Sequence, residues 1–334
     1  MRASRRWDLN RWRILWGVTL LCSALNAPAQ IPSDEVNMDS LVCQLRTIRE
    51  AGRLRDQSQV TRLLDNLTNP RAGAFTIIKV DFGYIAPFAY HLQVASLVAL
   101  ARIADASSLP ALEKLREEQC CKSLPHLEPT IARIRAELAY PTPKKQEEWR
   151  EKVQRFIDLS GVSLDELIRG TSPQARVCLQ YIAEMAAVAY EQGYHQAFAD
   201  LVSQGIRLEA DFRANLILHL TYRTPKQRVE WLMSQLKASN ATTHHTYYVI
   251  QALADCGDSG LKAILEWFEE LRQTAGVDTH SFDKVSLRHC LLALCAFDKP
   301  EAKRAVKDVL SQQVISDVSN VAQVDCPYVF VSDF

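Results

Sequence analysis

An apolar spacing of i, i+3, i+4, i+7 recurs along this sequence, each time shortly after a turn signal. Such a spacing places apolar side chains on one stripe of an amphipathic helix, so it predicts a helix that buries one face. The copies begin at Val60, Ser108 (a weaker copy), Phe198, Val229, Leu261 and Ala302. Their intervals are 48, 90, 31, 32 and 41 residues. Intervals of about 30 to 47 residues are typical of stacked helix pairs. The interval of 90 residues leaves room for one or two further pairs whose helices the pattern does not locate.

Another apolar stripe precedes several of these helices, most clearly at residues 94–101 and 287–294. The turns between the paired helices carry Asp56, Asp105, Thr224-Pro225, Gly257-Asp258 and Asp298-Lys299-Pro300. Aspartate and threonine cap helix N-termini, and proline suits the first helical turn, so each turn ends one helix and starts the next. The phasing predicts that Leu253 and Leu265 are buried and that Glu269 faces solvent.

Two segments carry a family resemblance. Val94–Asp105 followed by Leu109–Leu112, and Gln251–Asp258 followed by Leu261, have an Ala/Leu-rich first helix, an Asp-bearing turn and a Leu-rich second helix. In this they resemble the HEAT-repeat family, in an exported bacterial form. The resemblance implies an all-α solenoid of stacked antiparallel helix pairs and carries no functional residues with it. The tetratricopeptide family is the nearest alternative, but its Trp, Gly, Tyr and Pro positions are not met together in any copy.

The predicted organisation follows from where the repeat holds and where it breaks. It comprises a signal peptide (1–29), N-terminal HEAT-like repeats (30–118) with a short non-helical insertion (71–90), an irregular helical connector (119–173), C-terminal HEAT-like repeats (174–313) and a C-terminal cap or tail (314–334). Within the connector, residues 144–159 are helical in pattern but strongly charged, which predicts a solvated helix.

The first residues predict export. Five arginines precede the apolar run 14–25, and Ala27-Pro28-Ala29 provides a small-residue cleavage pattern. The alternatives are an uncleaved anchor, for which the run is short, and a twin-arginine signal, in which Asp8 is out of place. We expect a mature chain that starts near Gln30, and a soluble periplasmic or extracellular product.

Charge and hydropathy limit the classes of partner. Residues 1–29 contain five Arg and one Asp, so 34 Lys+Arg and 38 Asp+Glu remain after them. A mildly acidic chain argues against nucleic-acid binding. No later segment is long and apolar enough to span a bilayer, so no integral membrane segment is expected after cleavage.

The cysteines have two interpretations. Eight follow the predicted signal peptide: Cys43, Cys120, Cys121, Cys178, Cys256, Cys290, Cys295 and Cys326. Eight cysteines allow 105 pairings, and several of them lie at helical core positions where cysteine is commonly a small buried hydrophobe. We expect a mixture of buried thiols and at most two disulfides.

The insertion at residues 71–90 is rich in aromatic and β-branched residues, which favours an extended loop or a short hairpin. Its candidate binding residues are Phe75, Phe82, Tyr84, Phe88 and Tyr90. Exposed aromatic side chains commonly dominate binding surfaces. The alternative is that these side chains fill the groove between neighbouring repeats.

Motifs for chemistry are weak. Asp81-Phe82-Gly83 lacks the other kinase motifs, and the histidines lack a metal-ligand spacing, so we expect no cofactor and no metal. The leading hypothesis is a non-catalytic scaffold that binds a protein or peptide. The rival hypothesis is an enzyme on a HEAT-like array, similar to the lyases of pigment attachment. It requires the following residues to converge in one cleft: Asp211, His219, Glu230, His244 and His245.

Overall fold

The computed structural model describes residues 38–68, 77–79, 85–118, 124–239, 244–274 and 281–311. The predicted signal peptide, the tail 314–334, Cys120, Cys121 and Cys326 therefore lie outside the described residues. Nearly all described residues are helical, which confirms the all-α prediction.

The described residues include fifteen α-helices and two short strands, besides three short 3₁₀ helices and turns. In chain order they are α1 Met38–Leu54, α2 Val60–Thr68, β1 Ile77–Lys79, β2 Ile85–Pro87, α3 Phe88–Ile103, α4 Leu109–Glu117, α5 Leu127–Ala139, α6 Gln146–Leu159, α7 Leu164–Arg169, α8 Pro173–Glu191, α9 Ala197–Ser203, α10 Phe212–Thr221, α11 Pro225–Ala238, α12 His244–Asp255, α13 Asp258–Thr274, α14 Ser281–Cys295 and α15 Pro300–Ser311.

The predicted turn residues act as caps. The Asp56 carboxylate accepts a hydrogen bond from the Ser58 N–H, and Asp105 accepts one from Ser107, each at the start of a short 3₁₀ helix that leads into α2 or α4. Thr224 forms a reciprocal capping box with Gln227 at the start of α11. Each cap satisfies backbone donors that a helix start leaves open, so the turns fix where the helices begin.

The helices contact one another in two series. In the first series, each helix packs on the next in the order α1, α3, α5, α8, α10, α12, α14. The remaining helices pack against the first series, and among them α2 contacts α4, α11 contacts α13, and α13 contacts α15. Each helix therefore buries apolar surface on its neighbours, and α3, α5 and α8 are buried on most sides.

The two ends of the first series meet. Arg46 of α1 donates to the Cys295 carbonyl at 3.0 Å and pairs with Asp298 at 3.4 Å, at the end of α14. Arg49, one turn further along α1, donates to the Gln251 carbonyl at 3.2 Å. It also reaches Asp255 of α12 at 2.6 Å. We call these contacts the seam, and they bring the first helix onto two of the last.

Helices α1 and α3 approach each other closely at Gly52. A Cβ atom at Gly52 would lie 2.9 Å from the Ala99 Cα and 3.1 Å from its Cβ. A side chain at position 52 would force the two backbones apart, so glycine permits this close approach. Ala99 is itself a small, buried residue, so neither helix places a large side chain at this contact.

Helix α6 differs from its prediction as a solvated helix. It buries Trp149, Lys152, Val153, Phe156 and Ile157. Its charges are concentrated on the other face, and Lys152 is buried only together with a carboxylate from α5, Glu137, at 2.6 Å. The overall charge of this segment concealed an apolar stripe that packs against α5 and α8.

Several positions of the predicted stripes are less buried than expected. Val202 is 69% exposed, and Leu265 is half-buried beside an open groove. Leu253 is fully buried and Glu269 is exposed, as predicted. The short α9 packs on few neighbours, so the outer edge of its stripe faces solvent.

The insertion contains a hairpin. Strands β1 and β2 pair antiparallel, with Ile78 opposite Ala86. The residues from Phe88 to Tyr90 belong to α3 rather than to the hairpin, so the helix begins three residues earlier than the predicted boundary.

The described cysteines are of two kinds. Cys43, Cys178, Cys256 and Cys290 are free thiols, and two of them, Cys178 and Cys290, are buried. Burial raises the pKa of the Cys178 thiol to about 12. Cys295, at the end of α14, takes part in a disulfide. Buried thiols and a disulfide therefore coexist.

Candidate functional site

A pocket of about 400 Å³ is surrounded by six helices of the first series, namely α1, α3, α5, α8, α10 and α12. Six arginines lie in its lining: Arg49, Arg53, Arg55, Arg102, Arg133 and Arg213. Two carboxylates accompany them, Glu184 and Asp255, which leaves a formal excess of four positive charges. Such an accumulation of arginine on one concave surface favours binding of an anion.

Local sequence explains how α1 presents its arginines. Arg49 and Arg53 are four residues apart and so lie on one face of the helix. Leu45 and Ile48 are both buried on the packed side. Arg55 follows the end of α1 in a left-handed conformation with φ 53° and is exposed. The end of α1 therefore carries three guanidinium groups to the pocket.

Glu184 of α8 joins two of the other arginines. Its carboxylate accepts from Arg102 Nη2 at 2.7 Å and Nε at 3.4 Å, and from Arg133 Nη1. Burial opposes ionisation of Glu184, but Arg102 and Arg133 outweigh it and hold its pKa well below the usual range. We call these three residues the Glu184 cluster; it links α3, α5 and α8 by one shared carboxylate.

Arg133 is the most enclosed member of the cluster, at 2% exposure. Its guanidinium lies 4.8 Å above the Tyr181 ring, whose hydroxyl is 3.2 Å from Thr130 Oγ1. Burial raises the pKa of Tyr181 to about 12, so this phenol stays neutral. Among the described residues, the buried Arg133 Nε has no hydrogen-bond partner.

The remaining arginines have weaker or more exposed partners. Arg53 binds Glu50 at 2.5 Å on the same helix face, and this hydrogen bond lowers the pKa of Glu50. Arg213 of α10 donates to Gln180 Oε1 at 3.5 Å and lies 5.7 Å from the Tyr248 ring centre. The guanidinium groups keep their charge at any ordinary pH, so the pocket stays positive.

Another part of the lining is aliphatic. It comprises Ala187, Val188, Leu216, Ile217, Leu220 and Ala252, from α8, α10 and α12. Val188, Ile217 and Leu220 are half-buried, so they offer apolar surface to the pocket. The pocket therefore combines a cationic side and an apolar side.

The predicted aromatic site lies elsewhere. Phe75, Phe82 and Tyr84 fall outside the described residues, and Phe88 begins α3 with a side chain that is also outside them. Tyr90 is half-buried, with its ring edge-on to His91 at 6.1 Å, and it is not part of the pocket lining.

The residues proposed for an enzyme have separate local contacts. Asp211 caps α10 by accepting from the Ala214 N–H. The ring of His219 stacks on Trp231, whereas that of His245 stacks on Phe212 at 3.8 Å. Glu230 pairs with Lys226 on the same helix, and the side chain of His244 lies outside the described residues.

The Glu184 cluster was missed from the sequence although a signal for it exists. Glu184 interrupts the apolar run Ile182–Ala186, and Arg133 interrupts the run Ile131–Ile134. A lone charge on the apolar stripe of a helix requires a partner when it is buried. The spacing identifies such residues but does not show that 82 residues separate Arg102 from its acceptor.

No protein-family model, curated protein or solved structure matches this chain. Within the described ranges, no group of three or more His, Cys, Asp or Glu side chains could hold a metal ion. In the same part of the chain, no helix is both long and apolar enough to cross a membrane.

Proposed function

We propose that this chain is a non-catalytic binding module, built as a HEAT-like helical array, that holds an anionic group of a protein or peptide partner in the arginine-lined pocket. The observation that carries the proposal is the convergence of six arginines and only two carboxylates on one concave surface. Guanidinium groups bind carboxylate and phosphate oxygens through paired N–H donors, which suits them to such a ligand.

The array itself is part of the proposal. The order of contacts in the first series, with the second series packed along it, is the arrangement expected of stacked helix pairs. The seam would then join the two ends of the array and place Arg49 beside Asp255 at the pocket. An open array would leave the pocket without its α1 side.

A binding role is favoured over catalysis by the protonation states of the pocket. Its arginines remain protonated and Glu184 remains ionised at neutral pH, so these groups neither take up nor release protons there. A general acid or base needs a pKa near the operating pH. Export, proposed from the N-terminal sequence, is supported by the disulfide of Cys295, because such bonds persist mainly in oxidising compartments.

Thermal unfolding in citrate tests the proposal. A ligand that binds the folded state raises the melting temperature, so citrate should stabilise the wild type more than the double variant Arg53→Gln/Arg55→Gln. Both residues are exposed, so their loss should leave the melting temperature in chloride nearly unchanged.

The control addresses the general stabilisation that multivalent anions confer on proteins. Arg169→Gln removes an exposed arginine outside the pocket that pairs with Asp165 on its own helix. This variant should respond to citrate as the wild type does. Equal citrate responses in all three proteins would contradict an anion site at this pocket.

A further inference from the structure

The cationic and apolar parts of the pocket together restrict the class of ligand more than the charge of the pocket alone does. Arginines of α1, α3, α5 and α10 form the cationic part of the lining, and aliphatic side chains of α8, α10 and α12 form the apolar part. An inorganic anion would leave the aliphatic side in contact with water. The full pocket therefore suits a ligand that carries an oxyanion and an apolar group close together.

The donors of the cationic side differ in availability. Arg102 places two nitrogens on Glu184, so this carboxylate occupies much of its fork. Arg133 uses Nη1 for Glu184, and its Nε is buried away from solvent, so neither donor is open to a ligand. Arg53 gives Nε and Nη2 to Glu50, whereas Arg55 presents an exposed guanidinium group just after the end of α1. Donors thus remain for a planar carboxylate, which a guanidinium binds with two parallel hydrogen bonds.

The aliphatic side is short. Leu216 and Ala252 are nearly buried, so Val188, Ile217 and Leu220 supply most of the apolar surface that a ligand would touch. Three half-buried side chains cover one or two aliphatic side chains of a ligand but not a long acyl chain. The volume of about 400 Å³ is also at the small end of ligand sites.

We infer that the pocket binds the C-terminal carboxylate of a peptide whose last residue has an aliphatic side chain. At a C-terminus, one Cα atom carries both the carboxylate and the side chain, so a single residue offers both groups to the pocket. An aspartate or glutamate side chain provides the carboxylate without an apolar group beside it. This inference rests on the proposed function, because it assigns the ligand of the same pocket.

Fluorescence anisotropy with labelled peptides tests the inference on the whole protein. The probes are one neutral hexapeptide ending in leucine with a free carboxylate, the same peptide with an amidated end, and the same peptide ending in glycine. We expect the free leucine peptide to bind, and amidation to weaken binding roughly tenfold or more because charged hydrogen bonds are lost. Glycine at the end should weaken it by a smaller factor, roughly three- to tenfold.

A matched pair of variants locates the aliphatic contact. Val188→Thr replaces a methyl group by a hydroxyl of similar size in the pocket, and Val202→Thr makes the same change at an exposed position of α9. Val188→Thr should weaken binding of the leucine peptide and leave the glycine peptide unchanged. Val202→Thr should change neither. Melting temperatures near that of the wild type confirm that both variants fold.

The outcomes separate this inference from the proposed function. Equal affinity for the free and amidated peptides overturns the C-terminal assignment, while the citrate response still decides whether an anion site exists. Equal affinity for the leucine and glycine peptides overturns the aliphatic half of the assignment. If decanoate competes with citrate and no peptide binds, a fatty acid supplies the carboxylate. That result overturns the assignment of a peptide ligand.

Discussion

The Glu184 cluster and the seam use the same chemical contact in different surroundings. In the cluster, Arg102 reaches Glu184 at 2.7 Å, and in the seam Arg49 reaches Asp255 at 2.6 Å. The Glu184 side chain is 15% exposed, whereas that of Asp255 is 48% exposed. The lengths of the two ion pairs are alike, but the carboxylate of the cluster is more buried and is shared by two arginines.

This difference separates their contributions to stability. Removing one partner of a buried pair leaves a charge that water cannot reach, and typically costs about 3 to 5 kcal/mol. An exposed pair loses little when it is broken, because water solvates both groups. The cluster therefore fixes the positions of α3, α5 and α8. The seam joins the ends of the first series by contacts whose charged groups water can solvate when they separate.

The largest expected effect is that of Glu184→Gln. The amide cannot compensate Arg102 and Arg133, and Arg133 would be left as a buried, unneutralised cation. We expect the free energy of unfolding to fall by about 3 to 5 kcal/mol. Urea unfolding followed by circular dichroism measures it. Asp165→Asn, in an exposed pair on α7, is the control and should cost less than about 0.5 kcal/mol; equal losses would remove the distinction between buried and exposed pairs.

A second buried pair extends the comparison beyond the pocket. Lys152 lies 2.6 Å from Glu137, and its ammonium is 4.8 Å from the Trp149 ring centre. Burial lowers the pKa of Lys152, although Glu137 opposes that change. Lys152→Met leaves Glu137 buried without its cation, so we expect a loss of about 3 kcal/mol.

The double variant Lys152→Met/Glu137→Leu tests whether the uncompensated charge of Glu137 causes this loss. It removes both charges and keeps similar volumes, so it should recover most of the lost stability. The same urea titration, carried out on the single and double variants, gives the coupling between the two residues. A double variant as unstable as Lys152→Met would show that the loss came from packing rather than from an uncompensated charge.

The acid side of the stability profile gives a third measurement. The folded-state pKa of Glu184 lies well below its ordinary value of 4.5, so its contribution is present above that pH and is lost as the pH falls below it. Between about pH 5 and about pH 3, the wild type should lose roughly 2 kcal/mol more than Glu184→Gln. Parallel pH profiles for the two proteins would contradict the ionised state of Glu184.

The smallest effect is expected at the seam. Arg49→Gln removes an exposed charge pair, so the free energy of unfolding should fall by about 0.2 to 1 kcal/mol. Hydrogen exchange of the α1 amides should nevertheless increase, since α1 would lose a contact with α12. A loss above about 3 kcal/mol would show that the seam pair contributes as much stability as a buried pair, so the two kinds of ion pair would not differ.

The sequence determined the helices and their turns because both depend on neighbours along the chain. The apolar spacing predicted α2, α11 and α13, and Asp56, Asp105 and Thr224 marked helix starts. A cap needs only a side chain and a backbone N–H two or three residues away, so local sequence is sufficient. The charged face of α6 misled the prediction because overall charge concealed the apolar stripe around Phe156.

Only the tertiary structure decided the pocket and the seam. Arg49 and Asp255 are 206 residues apart, and Arg102 and Glu184 are 82 apart. Their contacts depend on how each of six helices is placed on the next, and a small change of angle at each step would separate α1 from α12. Helical spacing specifies which face of a helix is buried but not the packing angles, which side-chain shapes set at each interface. The candidate site follows from those angles, so the sequence predicted helices without predicting where their arginines meet.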